Sequence, residues 1–124
     1  ARVSLTGTTI KNGAGGAGER GAALYADNAD ITVENSLFEN NYKHGMILVS
    51  SESRIKNTEF KNHTKPNFDS RGLAYYGSAI NLNNVVFNNN YFGLYADPTS
   101  LLGTIAEPII FNGNASSSNI WLGL

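Results

Sequence analysis

The chain has 124 residues, a net charge of −1 and only 15% charged residues, which bounds it to one domain without the basic surface that nucleic acid or an anionic membrane would need. It contains no cysteine, which excludes a disulfide framework, a cysteine-ligated zinc site and thiol catalysis, and no apolar run approaches the ~20 residues that span a bilayer. Seventeen asparagines stand beside 13 glycines and 3 prolines in a chain that is still 41% hydrophobic, so the backbone turns often, through left-handed positions that Asn and Gly enter cheaply, around a real core.

The first segment, "VSLTGTTIKNG" (3–13), alternates Val3 and Leu5 with polar residues, breaks at Gly7 and brings Ile10 inward ahead of Asn12. "GAGGAGERG" (13–21) leads into no helix and reads as a loop, not a phosphate cradle. After the apolar stretch "AALYAD" (22–27) comes "ITVENSLFENN" (31–41), in which Ile31 and Val33 alternate with Thr32 and Glu34, Asn35 resets the phase, and Phe38 faces in. The same order then recurs: "GMILVS" (45–50) before "SRIKNTEFKNH" (53–63), "LAYYGS" (73–78) before "INLNNVVFNNN" (80–90), and "FGLYAD" (92–97) before a weaker copy ending at Phe111.

Aligned on the large apolar residue before each Asn cluster, the copies give columns. The anchors are Ile10, Phe38, Phe60, Phe87 and Phe111, spaced by 28, 22, 27 and 24 residues. Two positions on stand Asn12, Asn40, Asn62, Asn89 and Gly113; three positions back, Gly7, Asn35, Asn57, Asn84 and Pro108; five back, Leu5, Val33, Ile55, Leu82 and Ala106. A sandwich with Asn-rich hairpins would not demand one residue type at a fixed offset from each anchor. The pattern predicts an all-β solenoid of about five coils over residues 1–124, three short strands to a coil, with asparagines passing amide hydrogen bonds from coil to coil at the bends. The chain starts at Ala1 without a methionine, so a mature product or a fragment of a longer protein is expected.

These residues resemble the right-handed parallel β-helix repeats of autotransporter passenger domains, polymorphic outer-membrane proteins and pectin-degrading enzymes. Gly21-Ala22-Ala23-Leu24 is a near miss to the G-G-A-I signature of the outer-membrane repeats. Phe38…Asn41, Phe87…Asn90 and Phe111…Asn114 match their F-x-x-N signature, while Phe60…His63 departs at the last position. The resemblance runs from about Val3 to Asn114 and implies the fold; such scaffolds carry lyases, hydrolases, adhesins and fibre proteins alike.

Catalysis finds little footing. The paired aspartates of polygalacturonase-like relatives are missing, and Arg54-Ile55-Lys56 reads as a strand with Ile55 inward and two charges in solvent. Asp27, Asp30 and Glu34 read as a solvated bend, and His44 and His63 as exposed turn residues with no third metal ligand. No catalytic residue, metal or cofactor is expected.

Binding has two candidate surfaces. The segments after the Asn turns project from one edge, which gathers Glu19, Arg20, Tyr42, Lys43, His44, His63, Lys65, Asp69 and Arg71. If Leu24 and Leu94 point inward, Tyr25 and Tyr95 point out, and Tyr76 shares their face, a row suited to stacking on sugar rings, although "GMILVS" interrupts it at Ile47 or Leu48. The expectation is an extracellular or cell-surface module that binds a polysaccharide or surface glycan without catalysis. The alternatives are a structural subunit that self-associates end to end, or stacks on flanking coils of a parent protein, and a truncated lyase or hydrolase.

Overall fold

The computed structural model describes residues 2–13, 22–64, 70–114 and 120–122. The first coil consists of β1 (Arg2–Thr6) and β2 (Thr9–Lys11), and the second of β3 (Ala22–Asp27), β4 (Asp30–Glu34) and β5 (Leu37–Glu39). β6 (His44–Val49) with β7 (Glu52–Lys61), β8 (Arg71–Tyr76) with β9 (Ala79–Asn88), and β10 (Phe92–Ala96) with β11 (Leu101–Asn112) form the next three, followed by β12 (Ile120–Leu122). Each strand pairs in parallel with its equivalent one coil away, in a seven-stranded sheet and in a five-stranded sheet ordered β12-β10-β8-β6-β3. The chain is thus a parallel β-solenoid whose five rungs, from the Ile10 anchor to the Phe111 anchor, make four turns.

The anchor column is also the column of the register: Ile10 lies opposite Phe38, Phe38 opposite Phe60, Phe60 opposite Phe87 and Phe87 opposite Phe111. The four phenylalanine rings stack at 5.0, 5.5 and 5.1 Å, within 13° of parallel, a face-to-face arrangement set by the rung spacing rather than by ring preference. Phe38, Phe60 and Phe87 are fully buried, and burying each contributes about 1.5–3 kcal/mol. Leu5, Val33, Ile55 and Leu82 form the second expected column. The last copy departs from it. Ile105, not Ala106, lies opposite Leu82. β11 takes on one extra residue between Leu102 and Ile105 and another between Ala106 and Ile109, and the latter sets this shift. The second bulge contains Pro108, which has no N–H to give the ladder. The expected three strands per coil also merge: β7 and β9 run 10 residues each, straight through the bends at Asn57 and Asn84.

Asparagine does turn the chain. Asn12, Asn40, Asn62 and Asn89, and Asn35, Asn57 and Asn84, all have φ between 50° and 63°, with Gly7 and Gly113 completing the two columns. The side chains link coils, Asn40 Nδ2 to Asn12 Oδ1, Asn84 Nδ2 to Asn57 Oδ1 and Asn89 Nδ2 to Asn62 Oδ1, each at 2.9 Å. A third left-handed column, Asn28, Ser50 and Gly77, turns the five-stranded sheet into the seven-stranded one. Its residue types differ from coil to coil, so no sequence column marks it. Just after it runs a hydroxyl ladder in which the amides of Ala29, Ser51 and Ser78 donate to Ser51, Ser78 and Ser100 Oγ at 3.0, 3.0 and 3.2 Å.

The F-x-x-N signature acquires a physical meaning. Asn41, Asn90 and Asn114 turn inward; their Nδ2 atoms donate to the carbonyls of the preceding anchors, Ile10, Phe60 and Phe87, at 3.3, 2.9 and 3.0 Å. Their Oδ1 atoms accept the amides of Gly13, His63 and Asn90 at 3.2, 3.1 and 2.8 Å. Next to this ladder, Gly45, Gly72 and Gly93 let the five-stranded sheet close onto the phenylalanine stack. A Cβ on Gly72 would sit 2.9 Å from Gly93 O and 3.0 Å from Phe60 Cβ.

Candidate functional site

Register settles how the tyrosines stand. Tyr25 lies opposite Ile47, Ile47 opposite Ala74, Ala74 opposite Tyr95 and Tyr95 opposite Trp121, so one column of the five-stranded sheet carries Tyr25 and Tyr95 three rungs or ~14 Å apart and runs on to Trp121. Leu94 is buried and Leu24 packs against the core, so the tyrosine column faces outward. Tyr25, Tyr76 and Tyr95 are all half-buried. Ile47 interrupts the column, and it and Ala74 are buried while standing apart from the core cluster, because the larger side chains on the outer face cover them. Tyr76 belongs to the next outward column, two residues along the strand beside Val49, and its ring meets that of Tyr95 at 5.3 Å with a 45° tilt. Its neighbour Tyr75 has the opposite phase and is fully buried, with its hydroxyl 3.0 Å from Ser53 Oγ.

Arg71 ties this face together. Its NH1 donates to Tyr76 OH at 3.1 Å, and its guanidinium carbon lies 4.2 Å from the Tyr95 ring centroid and 5.8 Å from that of Phe92. Such cation–π contacts contribute about 0.5–2 kcal/mol, more as water is excluded. Beside it opens a pocket of about 440 Å³. Tyr25 and Tyr76 wall it, Ile47 and Val49 give it an apolar floor, and Lys43, His44 and Arg71 supply one polar end. Apolar surface with a few placed polar groups is the usual composition of a small-ligand site.

The histidines require correction. Expected as exposed turn residues on a binding edge, both are buried, His44 at 4% and His63 at 0% exposure. His63 is the missing member of the inner asparagine ladder: its Nδ1 lies 2.8 Å from Asn90 Oδ1 and its Nε2 3.2 Å from Asn41 Nδ2. An amide oxygen only accepts and an amide NH₂ only donates, so Nδ1 carries the proton and Nε2 accepts. His63 therefore cannot meet a ligand. Burial pushes its pKa down to about 4, and the Asn90 hydrogen bond offsets only part of the shift. His44 differs, because it borders the pocket. Its Nδ1 accepts the Arg71 amide at 3.0 Å, which leaves Nε2 as the donor. Burial, then the charges of Arg71 and Lys43, push it down to about 4 as well, so it is neutral near pH 7.

The remaining candidates divide. Tyr42 is half-buried on the turn before β6, outside the pocket lining. Lys65 and Asp69, like Glu19 and Arg20, lie outside the described residues. Arg54 and Lys56 are exposed around buried Ile55, and Arg54 pairs with Asp30 at 2.9 Å. A second groove of about 470 Å³ follows the Asn35, Asn57 and Asn84 bends, but among the described residues no aromatic ring lines it, and the Asn57 and Asn84 amides bond to each other. Lys43, Ile47 and Val49 complete the tyrosine face; the sequence placed Lys43 on the loop edge and Ile47 only as an interruption of the stripe, and gave Val49 no role. The signal available for Lys43 and His44 was their place in the tightest turn, between two longer ones.

Comparison with the curated proteins and with the solved structures returned no match. Comparison with protein families returned one, described as a right-handed beta helix region and matching residues 1–102. Parallel rungs, inward ladders and this match agree: the chain belongs to the right-handed β-helix family.

Proposed function

We propose that this protein is a non-catalytic module of the cell surface or extracellular space that binds a polysaccharide on the outer face of its five-stranded sheet. The observation that carries the reading is the pocket of about 440 Å³ between Tyr25 and Tyr76, with Tyr95 and Arg71 extending the same face. Half-buried tyrosines on rigid strands offer flat apolar surface with a hydroxyl at the rim, which suits a sugar ring, and they lose little side-chain freedom on binding. The non-catalytic part rests on the lining, which among the described residues holds Lys43, His44 and Arg71 and no carboxylate, whereas glycoside hydrolysis uses two. The test is co-sedimentation with insoluble cellulose, chitin and pectin, comparing the parent chain with Tyr76→Ala. Retention on one of these polymers that falls about tenfold in the variant supports the reading, and equal retention of both proteins sinks it.

A second reading is favoured by the first rung, where Val3, Leu5 and Ile10 are only half covered. An edge of that kind accepts another parallel rung, from flanking coils or from a second copy, and the protein would then serve as a structural subunit. Sedimentation velocity without sugar separates the two readings: concentration-dependent long particles favour stacking, and a single small species favours the binding module.

A further inference from the structure

The chain holds two Asn-Gly pairs, Asn12-Gly13 in the first coil and Asn112-Gly113 at the end of β11. Glycine after asparagine leaves the main-chain nitrogen uncrowded, so that nitrogen can close on the carbonyl carbon of the asparagine side chain. The two pairs are held differently. At the first, both reacting groups are tied into the next coil: Gly13 N donates to Asn41 Oδ1 at 3.2 Å, and Asn12 Oδ1 accepts Asn40 Nδ2 at 2.9 Å. At the second, both residues are exposed, and among the described residues neither the Asn112 side chain nor the Gly113 N–H has a hydrogen-bond partner. Gly113 takes the left-handed corner at φ 66°, with nothing within 4 Å of where a Cβ would stand. The peptide between Asn112 and Gly113 is held by Asn89 N, which donates to Asn112 O at 2.8 Å. That bond draws charge onto the oxygen and makes the Gly113 N–H more acidic.

We infer that Asn112 is a site of spontaneous covalent modification, and that Asn12, in the same dipeptide, is protected by the ladder. Gly113 N gives its proton to solvent hydroxide and forms a bond to Asn112 Cγ. The Cγ–Nδ2 bond breaks, and ammonia leaves with a proton returned by water. Water then opens the cyclic imide at one carbonyl or the other. The products are aspartate, or isoaspartate with an extra carbon in the main chain, and the net exchange is one water in and one ammonia out. Asn114, two residues on, receives the Asn90 amide on its Oδ1 at 2.8 Å. The longer main chain of isoaspartate shifts Asn114 against that amide, so the modification loosens the inward ladder at this rung.

The test is peptide mapping by mass spectrometry on the full chain, held at mildly alkaline pH both folded and in guanidinium chloride. In denaturant the two pairs should convert at similar rates. In the folded protein Asn112 should convert at least about tenfold faster than Asn12, whose pair must first release two hydrogen bonds. Isoaspartate should appear beside aspartate, as the imide route requires, and exchange of the Asn90 amide should quicken in the isoaspartate form. Asn41→Ala frees the Gly13 N–H and should speed Asn12 several-fold while leaving Asn112 unchanged; a urea midpoint within the parent's range shows that this variant is folded. Asn40→Gly, which keeps the left-handed corner and frees the Asn12 side chain, takes its place if it is not. Equal rates at the two pairs in the folded protein overturn the inference, as does an Asn112 that stays intact while the denatured chain converts. An Asn12 that stays slow in the folded variant refutes protection by the ladder.

Discussion

Replacing His63 with asparagine should leave the protein folded and make it less sensitive to acid. His63 is fully buried in a column whose other inward members, Asn41, Asn90 and Asn114, show that asparagine fits the site. In the unfolded chain its imidazole titrates near 6.5, and in the folded chain near 4. Because the folded value is the lower one, the unfolded state takes up the proton first. The associated stability is fully present above pH ~6.5, falls as the pH drops from there toward ~4, and is absent below. A shift from 6.5 to about 4 corresponds to about 3 kcal/mol, a large share of the ~5–15 kcal/mol that holds a domain together. His44 has the same shift and adds a similar loss. The parent should therefore lose up to about 6 kcal/mol from the two histidines on acidification and His63→Asn only about half of that, with the carboxylates common to both. At pH 7.5 the smaller side chain should cost about 1 kcal/mol, and near pH 4.5 the variant should be the more stable protein. Urea unfolding at half-unit steps from pH 8 to pH 4, followed by circular dichroism, measures this difference. Stability curves that stay parallel between pH 7 and pH 4.5 would refute the buried, neutral His63 that the ladder requires.

Further substitutions test the packing and the ladder. Gly72→Ala pushes a methyl group against Gly93 O and Phe60 Cβ, with backbone on one side and the ring stack on the other, and should cost about 1–3 kcal/mol in a thermal or urea melt. Asn90→Ala strands the Phe60 carbonyl and both the backbone and ring N–H groups of His63, and should cost about 3 kcal/mol or more, which hydrogen exchange at the His63 amide would report locally. Tyr76→Phe removes only the hydroxyl that Arg71 NH1 reaches; stability should change by less than about 1 kcal/mol while glycan binding weakens several-fold by calorimetry.

The fold was legible because its side-chain columns repeat in one dimension. Phe38, Phe60 and Phe87 mark the core, Asn35, Asn57 and Asn84 the bends, and a solenoid turns such spacing directly into register. Legibility ends where chemistry substitutes for identity. His63 does an asparagine's work because an imidazole also offers one donor and one acceptor, so its column looks broken when it is continuous. Gly45, Gly72 and Gly93 form a column as plain as any other, yet its purpose, close approach to the phenylalanine rings, appears only in three dimensions. The β11 bulges hide register for the opposite reason, since they add residues without a repeated marker. The binding face was legible in part. Tyr25 and Tyr95 follow from strand phase, but the pocket depends on Tyr76 reaching across a diagonal and on Arg71, which opens β8 and lies over the Tyr95 ring.

The inward ladders all point one way along the stack. Backbone amides of one coil are received by side chains of the following coil, Gly13 by Asn41, Ala29 by Ser51, His63 by Asn90 and Ser78 by Ser100, while Asn41, Asn90 and Asn114 donate back to the carbonyls behind them. A coil is therefore finished at its corners by the one that comes after it in the chain. The stack therefore has a direction: taking away a coil leaves the corner amides of its predecessor without their side-chain acceptors, and taking away the predecessor leaves the asparagine Nδ2 groups behind without their carbonyls.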